Sequence, residues 1–217
     1  MLGATMMTYG IDVLPAAFPA EFAADAADVM AVVPAARHRP LGPFAVVVEG
    51  EQIAIPHRVH HDEPSPAAVA GLSPRQRQLL HCWYSRHGDG WVRQRHLARI
   101  VRSADPWVVP FVLRLVGEYV LEILVAIGDE LPGLLAPGSP GRLAYGRFIA
   151  ANPAFFDRLQ RQVVSYWSCY HRELYPDFRA YPGCTVLDLL RSAAADSAGH
   201  PWPSLAPKSP AAVHGYR

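Results

Sequence analysis

Between Trp107 and Ile127, 16 of 21 residues are apolar, and the only charges are Arg114, Glu118 and Glu122. Spaced at i, i+4 and i+8, these three fall on one stripe of a helix. Pro110 sits in the first turn, where a missing N–H is tolerated. Length alone would let such a helix cross a bilayer, but three charges within the span make that expensive. The pattern predicts one long helix, apolar nearly all round with a single charged stripe, at the centre of a helical bundle. A globule of this size puts about 70% of its unfolded surface out of water, enough for one sizeable core.

Prolines and turn residues divide the rest of the chain. Pro15, Pro19, Pro34 and Pro40 leave room for one short helix, around Glu21 to Val33, and residues 1–19 read as a flexible N-terminus. Phe44 to Val48 and Ile53 to Val59 are β-rich runs joined by Glu49-Gly50-Glu51-Gln52, which predicts a hairpin over 44–59 with Pro56 marking an edge strand. A hairpin alone is marginal in water, so it has to pack on helices or on a partner. From Ser73-Pro74 onward the spacing is helical, with breaks at Gly88-Asp89-Gly90, at Ser103-Ala104-Asp105-Pro106 and across Gly133–Gly141. Helices follow near Arg142–Ala151, Phe155–Tyr175 and Val186–Ala195, and the Pro-rich tail over 199–217 reads as disordered. The expected architecture is mainly α: one helical domain over 20–198 carrying a small N-terminal β-hairpin.

Two local resemblances are carried by short motifs. Asp89-Gly90-Trp91-Val92 recurs sixteen residues later as Asp105-Pro106-Trp107-Val108. The first copy continues into Arg93, and an Asp-x-x-Val-Arg opening on an amphipathic helix resembles the second helix of a HEAT-type repeat over Asp89–Val101. That implies at most one HEAT-like helix pair, because the offset is far below the ~40–47 residues of that repeat. Gly71-Leu72-Ser73-Pro74-Arg75-Gln76-Arg77-Gln78-Leu79-Leu80 looks like the opening of some regulator helix-turn-helix domains. The segment that would follow as a recognition helix offers Trp, Val, Phe and Leu, where base reading needs polar side chains.

The formal net charge of +1 conceals a polarised chain. Residues 1–70 carry net −5, residues 71–104 carry seven arginines (75, 77, 86, 93, 95, 99, 102) against Asp89 alone, and residues 105–217 balance. Arg95, Arg99 and Arg102 fall within about 60° of one another on a helix. Such a row docks on an acidic partner or follows a phosphate backbone; the acidic N-terminal segment of the same chain is its rival neighbour. Arg93 falls among Leu97, Ile100 and Ala104, which predicts burial and a carboxylate partner from Asp89, Asp105 or Glu118. Nineteen of the 20 basic residues are arginine, a bias of high-GC bacterial coding rather than of function.

Recognisable chemistry is sparse. Phosphate-cradling glycine loops, a serine elbow, Cys-x-x-Cys and His-Glu-x-x-His are absent. The densest ligand cluster is His57, His60, His61, Asp62 and Glu63; His57, His61 and Asp62 are weak candidates for a zinc-like site, since one short run seldom wraps a metal. Cys82, Cys169 and Cys184 read as small core residues. Tyr166, Tyr170, His171 and Tyr175 have polar tips that could line a pocket. No cofactor and no membrane partner is expected. The N-terminus lacks a basic region ahead of its apolar stretch, so the cytoplasm is the default location. The leading expectation is a non-catalytic interaction or adaptor module that docks on a protein partner, or on itself, through the Arg-rich face (Arg93, Arg95, Arg99, Arg102) or the hairpin edge. The alternatives are phosphate or nucleic-acid binding through Arg75–Arg102, and an enzyme with a site near His57–Glu63.

Overall fold

Helix caps and turn residues punctuate the computed structural model, which describes residues 13–36, 38 and 40–207. In chain order the elements are α1 (Val13–Ala16), a 3-10 turn (Ala20–Phe22), α2 (Ala23–Val32), β1 (Leu41–Val48), β2 (Glu51–Arg58), α3 (Pro66–Ala70), α4 (Pro74–Tyr84) and α5 (Gly90–Ile100). There follow α6 (Val109–Val116), α7 (Leu121–Leu134), α8 (Pro140–Ala151), α9 (Pro153–Tyr166), a π turn (Trp167–His171), a 3-10 turn (Phe178–Ala180) and α10 (Pro182–Ala198). The fold is mainly α with a small antiparallel hairpin, as expected. No helix among the described residues is long and apolar enough to cross a membrane.

These residues form two compact units. The first holds the described residues through Val101 together with Pro106–Val112; the second holds Arg102–Asp105 and the described residues from Leu113 onward. In the first unit, the hairpin faces Val46, Val48, Ile53 and Ile55 inward with Leu14, Phe18, Val29, Leu79, Leu80 and Trp83, all buried. Phe18 stacks on Phe111 with ring centroids 5.2 Å apart. The hairpin turn is tighter than predicted. Val48 pairs with Glu51, so only Glu49 and Gly50 are unpaired, and both have positive φ (49° and 90°). That is the twist a two-residue hairpin turn requires.

α4 is framed as the sequence implies. The Ser73 hydroxyl accepts from Gln76 N (3.2 Å) and the Gln76 side chain accepts from Ser73 N (2.9 Å), a capping box with Pro74 in the first turn. The same Gln76 amide donates to Asp25 (3.0 Å) and Asp28 (2.8 Å) on α2, tying α2 to the start of α4.

The long central helix is the main correction. The chain that should run unbroken through 107–127 stops at Val116 and restarts at Leu121. Gly117, a weak helix former, sits at the break, and Glu118 behind it is buried (2% exposed). Arg114, Glu118 and Glu122 therefore lie on three different pieces of structure rather than on one stripe. Further along, α7 carries Pro132 inside its last turn, so the predicted connector starts later, at Leu135.

The second unit packs Ile123, Leu124, Ile127 and Leu131 of α7, Tyr145 and Ile149 of α8, Phe156, Leu159 and Val163 of α9, and Val186, Leu187 and Leu190 of α10, all buried. The tail, expected to be disordered from 199, is placed as far as residue 207. Gln160, fully buried on α9, donates to Pro203 O (3.4 Å) and accepts from Leu205 N (3.3 Å), and Trp202 meets Phe156 edge to face at 6.1 Å. At the other end, Leu14, Ala17 and Phe18 are buried although 1–19 was expected to be flexible. Apolar anchors outweigh the local proline content in both places. The remaining parts of those two predictions, 1–12 and 208–217, lie outside the described residues.

Candidate binding site on the α4–α5 helix pair

The turn between α4 and α5 is closed by backbone and arginine together. Val59 N donates to Arg86 O (3.0 Å) and Gly88 N to Val59 O (2.9 Å), which joins the turn to the end of β2. Arg86 is fully buried and donates through Nη2 to His57 O (2.8 Å) and through Nε to Pro56 O (3.4 Å). Arg93 is 1% exposed, as its wheel position predicted, and its Nη1 donates to His87 O (2.9 Å) and Gly88 O (2.8 Å). Loop carbonyls thus take a share of the guanidinium that a carboxylate was expected to hold. Asp89 caps α5 by accepting from Trp91 N (2.8 Å), which places the Trp91 ring on the surface at 70% exposure.

The arginine-rich block now sorts by partner. Arg86 and Arg93 are buried and fasten the turn. Arg75 faces Asp25 at 3.6 Å and lies over the Phe22 ring, 5.7 Å from its centre. Arg95 pairs with Glu63. α5 ends at Ile100, so Arg102 lies beyond the helix, where its Nε and Nη2 grip both Glu130 oxygens at 2.7 and 2.6 Å. The predicted row of Arg95, Arg99 and Arg102 is therefore not one helical face. Arg77 and Arg99 remain, with neither a hydrogen bond nor an ion pair from their guanidiniums among the described residues.

A chain of hydrogen bonds runs across the pair. Glu63 Oε1 lies 2.9 Å from His96 Nε2, and His96 Nδ1 lies 2.9 Å from His81 Nδ1. Burial works against ionisation of Glu63, but hydrogen bonds from His96 and Arg95 outweigh it and hold its pKa below the ordinary value. An ionised Glu63 makes His96 Nε2 a donor and its Nδ1 an acceptor. Neutral His81 then donates through Nδ1 and keeps a lone pair at Nε2. Tyr84 stacks on His96, with rings 5.0 Å apart and 25° from parallel, and its hydroxyl donates to Asp62 O at 2.5 Å. Burial lowers His96 below its usual pKa, opposed by Glu63. Burial also lowers His81, and the charges of His96, Arg99 and Arg77 push it further, to about 4.

The five-residue cluster proposed from sequence is dispersed. His57 is half-buried in β2, 5.2 Å from the Phe44 ring. His61 is buried, with Nδ1 2.8 Å from Pro34 O. Asp62 contributes its carbonyl to Tyr84, and His60 lies beside the His38 ring. Only Glu63 joins the network, and no group of three or more His, Cys, Asp or Glu side chains among the described residues is placed to hold a metal ion. Sequence reasoning missed His81, His96 and Tyr84. The available signal was two histidines flanking the Gly88-Asp89-Gly90 break, each on the inner side of its helix.

In the second unit, Tyr119, Tyr166 and Tyr170 form a triangle of rings 6.0–6.2 Å apart at the π turn. His171 Nε2 lies 2.9 Å from Tyr119 O. The three rings pack on one another, with Tyr119 and Tyr170 exposed. Cys82 and Cys184 are buried, whereas Cys169, expected in the core, is exposed. The chain matches no family model, no curated protein and no solved structure, so the HEAT-like and helix-turn-helix-like openings stand as local likenesses.

Proposed function

We propose that this chain is a non-catalytic binding module that docks an acidic protein surface on the exposed face of α5. The observation that carries the reading is the position of Trp91. Its ring is 70% exposed and leads a line in which Arg95 and Arg99 follow at i+4 and i+8, within about 80° of one another. Tryptophan and arginine concentrate binding energy at interfaces, because one offers a large apolar face and the other a planar donor fork. The Arg95 side chain remains 57% exposed despite its bond to Glu63, so it can serve both. What supports α5 over the hairpin edge is that its exposed side chains are of the kind that choose a partner, whereas β1 presents mainly small apolar residues.

The test is quantitative affinity capture with the immobilised full chain against Trp91→Ala and the double variant Arg95→Glu, Arg99→Glu. Each variant is first checked for unchanged helicity by circular dichroism. The reading expects an acidic protein retained by the wild type, released by salt and lost with both variants. Identical capture by all three chains would sink it, and retention that disappears on nuclease treatment would replace it with nucleic-acid binding.

A further inference from the structure

Five of the seven arginines between 71 and 104 have a bond or ion pair in the structure; Arg77 and Arg99 are the exceptions among the described residues. They do not stand apart. Arg77 is one helical turn before His81 on α4, and Arg99 is one turn after His96 on α5. The Nδ1–Nδ1 contact of 2.9 Å locks these two rings together. His81 feels the charge of both guanidiniums. Its Nε2 has no partner among the described residues, and the relay from Glu63 through His96 commits Nδ1 inward. Two unneutralised guanidiniums and one imidazole nitrogen therefore share one part of the α4–α5 surface.

We propose that Arg77, Arg99 and His81 hold a tetrahedral oxyanion of the phosphate class, and that the ion binds together with a proton taken from solvent onto His81 Nε2. Guanidiniums supply forked donors to such an ion. Neutral His81 would present a lone pair to it; protonated His81 presents an N–H while still donating through Nδ1 to His96. The anion offsets the charges of Arg77 and Arg99, which are part of what keeps His81 neutral. Every other charge near this ring is engaged: Glu63 with His96 and Arg95, and Asp25 and Asp28 with Arg75 and Gln76 earlier on α4. Tyr84 completes the surroundings, with its hydroxyl turned to Asp62 O. The inference deepens the α5 docking reading, which it meets at Arg99, by naming a phosphate group as what the acidic partner carries.

Sulfate is the probe for proton linkage, because its charge is constant between pH 5 and 8. Histidine ring nitrogens of the full-length chain are followed by NMR during sulfate titration, with chloride at matched ionic strength as control. The expected result is a sulfate-specific shift at His81 Nε2, with affinity about tenfold tighter at pH 5.5 than at pH 7.5. Arg77→Gln and Arg99→Gln each weaken binding by about fivefold or more, and His81→Gln binds without a pH slope. Inorganic phosphate at pH 7.5 then competes for the same resonances. An effect of sulfate no different from chloride, a flat pH profile in the wild type, or unchanged affinity in both arginine variants would overturn the proposal. Loss of protein docking with sulfate binding intact would remove only the α5 reading, so the two fail separately.

Discussion

His81 and His96 are fifteen residues apart in sequence and touch through their Nδ1 atoms, 2.9 Å apart. His81, His96 and His87 all have lowered pKa values, with burial the largest cause in each case. The unfolded chain binds protons at these sites near pH 6.5, while the folded chain resists until the pH is lower, about 4 for His81. Stability is therefore full above pH 6.5 and falls as the pH drops toward 4. At the same scale, Gln160 is a buried amide whose oxygen accepts from Arg191 Nη1 (3.0 Å) and Leu205 N (3.3 Å). Gln160→Leu leaves those donors short of a partner and should cost about 2 kcal/mol. Limited proteolysis of this variant should cut within 199–207 well before the wild type does.

Elements in this chain are set by close approaches as much as by propensity. α8 crosses α10 at Gly146, where a side-chain carbon would come within 2.3 Å of Ala193 O and Ser197 Oγ. The backbone oxygen cannot rotate away, so Gly146→Val should destabilise by about 3 kcal/mol, read as a lower midpoint in urea. α4, α5 and the hairpin were legible beforehand because caps, turn residues and periodicity agree there: Ser73-Pro74, the Asp89 cap, and alternation on either side of Glu49-Gly50. The break within 107–127 is not legible in the sequence, for the opposite reason. The apolar pattern there is continuous, and the interruption at Gly117 comes with burial of Glu118, which no local pattern announces.

At the scale of the whole molecule, the histidines with lowered pKa values all belong to the first of the two compact units. Acid should loosen that unit first. Hydrogen exchange compared at pH 7 and pH 5 is expected to show protection lost from α4 and α5 before α8 and α10, after correction for intrinsic rates. Simultaneous loss in both sets would show that the histidines do not govern the acid response. The polarised charge of the chain also takes on meaning here. Among the described residues the acidic N-terminal segment and the basic 71–104 block do meet, through contacts that include Arg75 with Asp25, Gln76 with Asp25 and Asp28, and Glu63 with Arg95 and His96.

Local pattern alone determined that this chain is mainly helical, carries one hairpin, buries Arg93 and concentrates positive charge before residue 105. Those properties follow from periodicity, capping and composition, which act over a few residues. Tertiary structure decided which arginines are consumed and which are left. A guanidinium is satisfied by whatever carbonyl or carboxylate folding brings near it, and His57 O, Glu63 and Glu130 are each distant in sequence from the arginine they hold. It also decided that His81 and His96 meet. Imidazole–imidazole contact depends on how two helices cross, and that crossing is set by packing of the core beneath them.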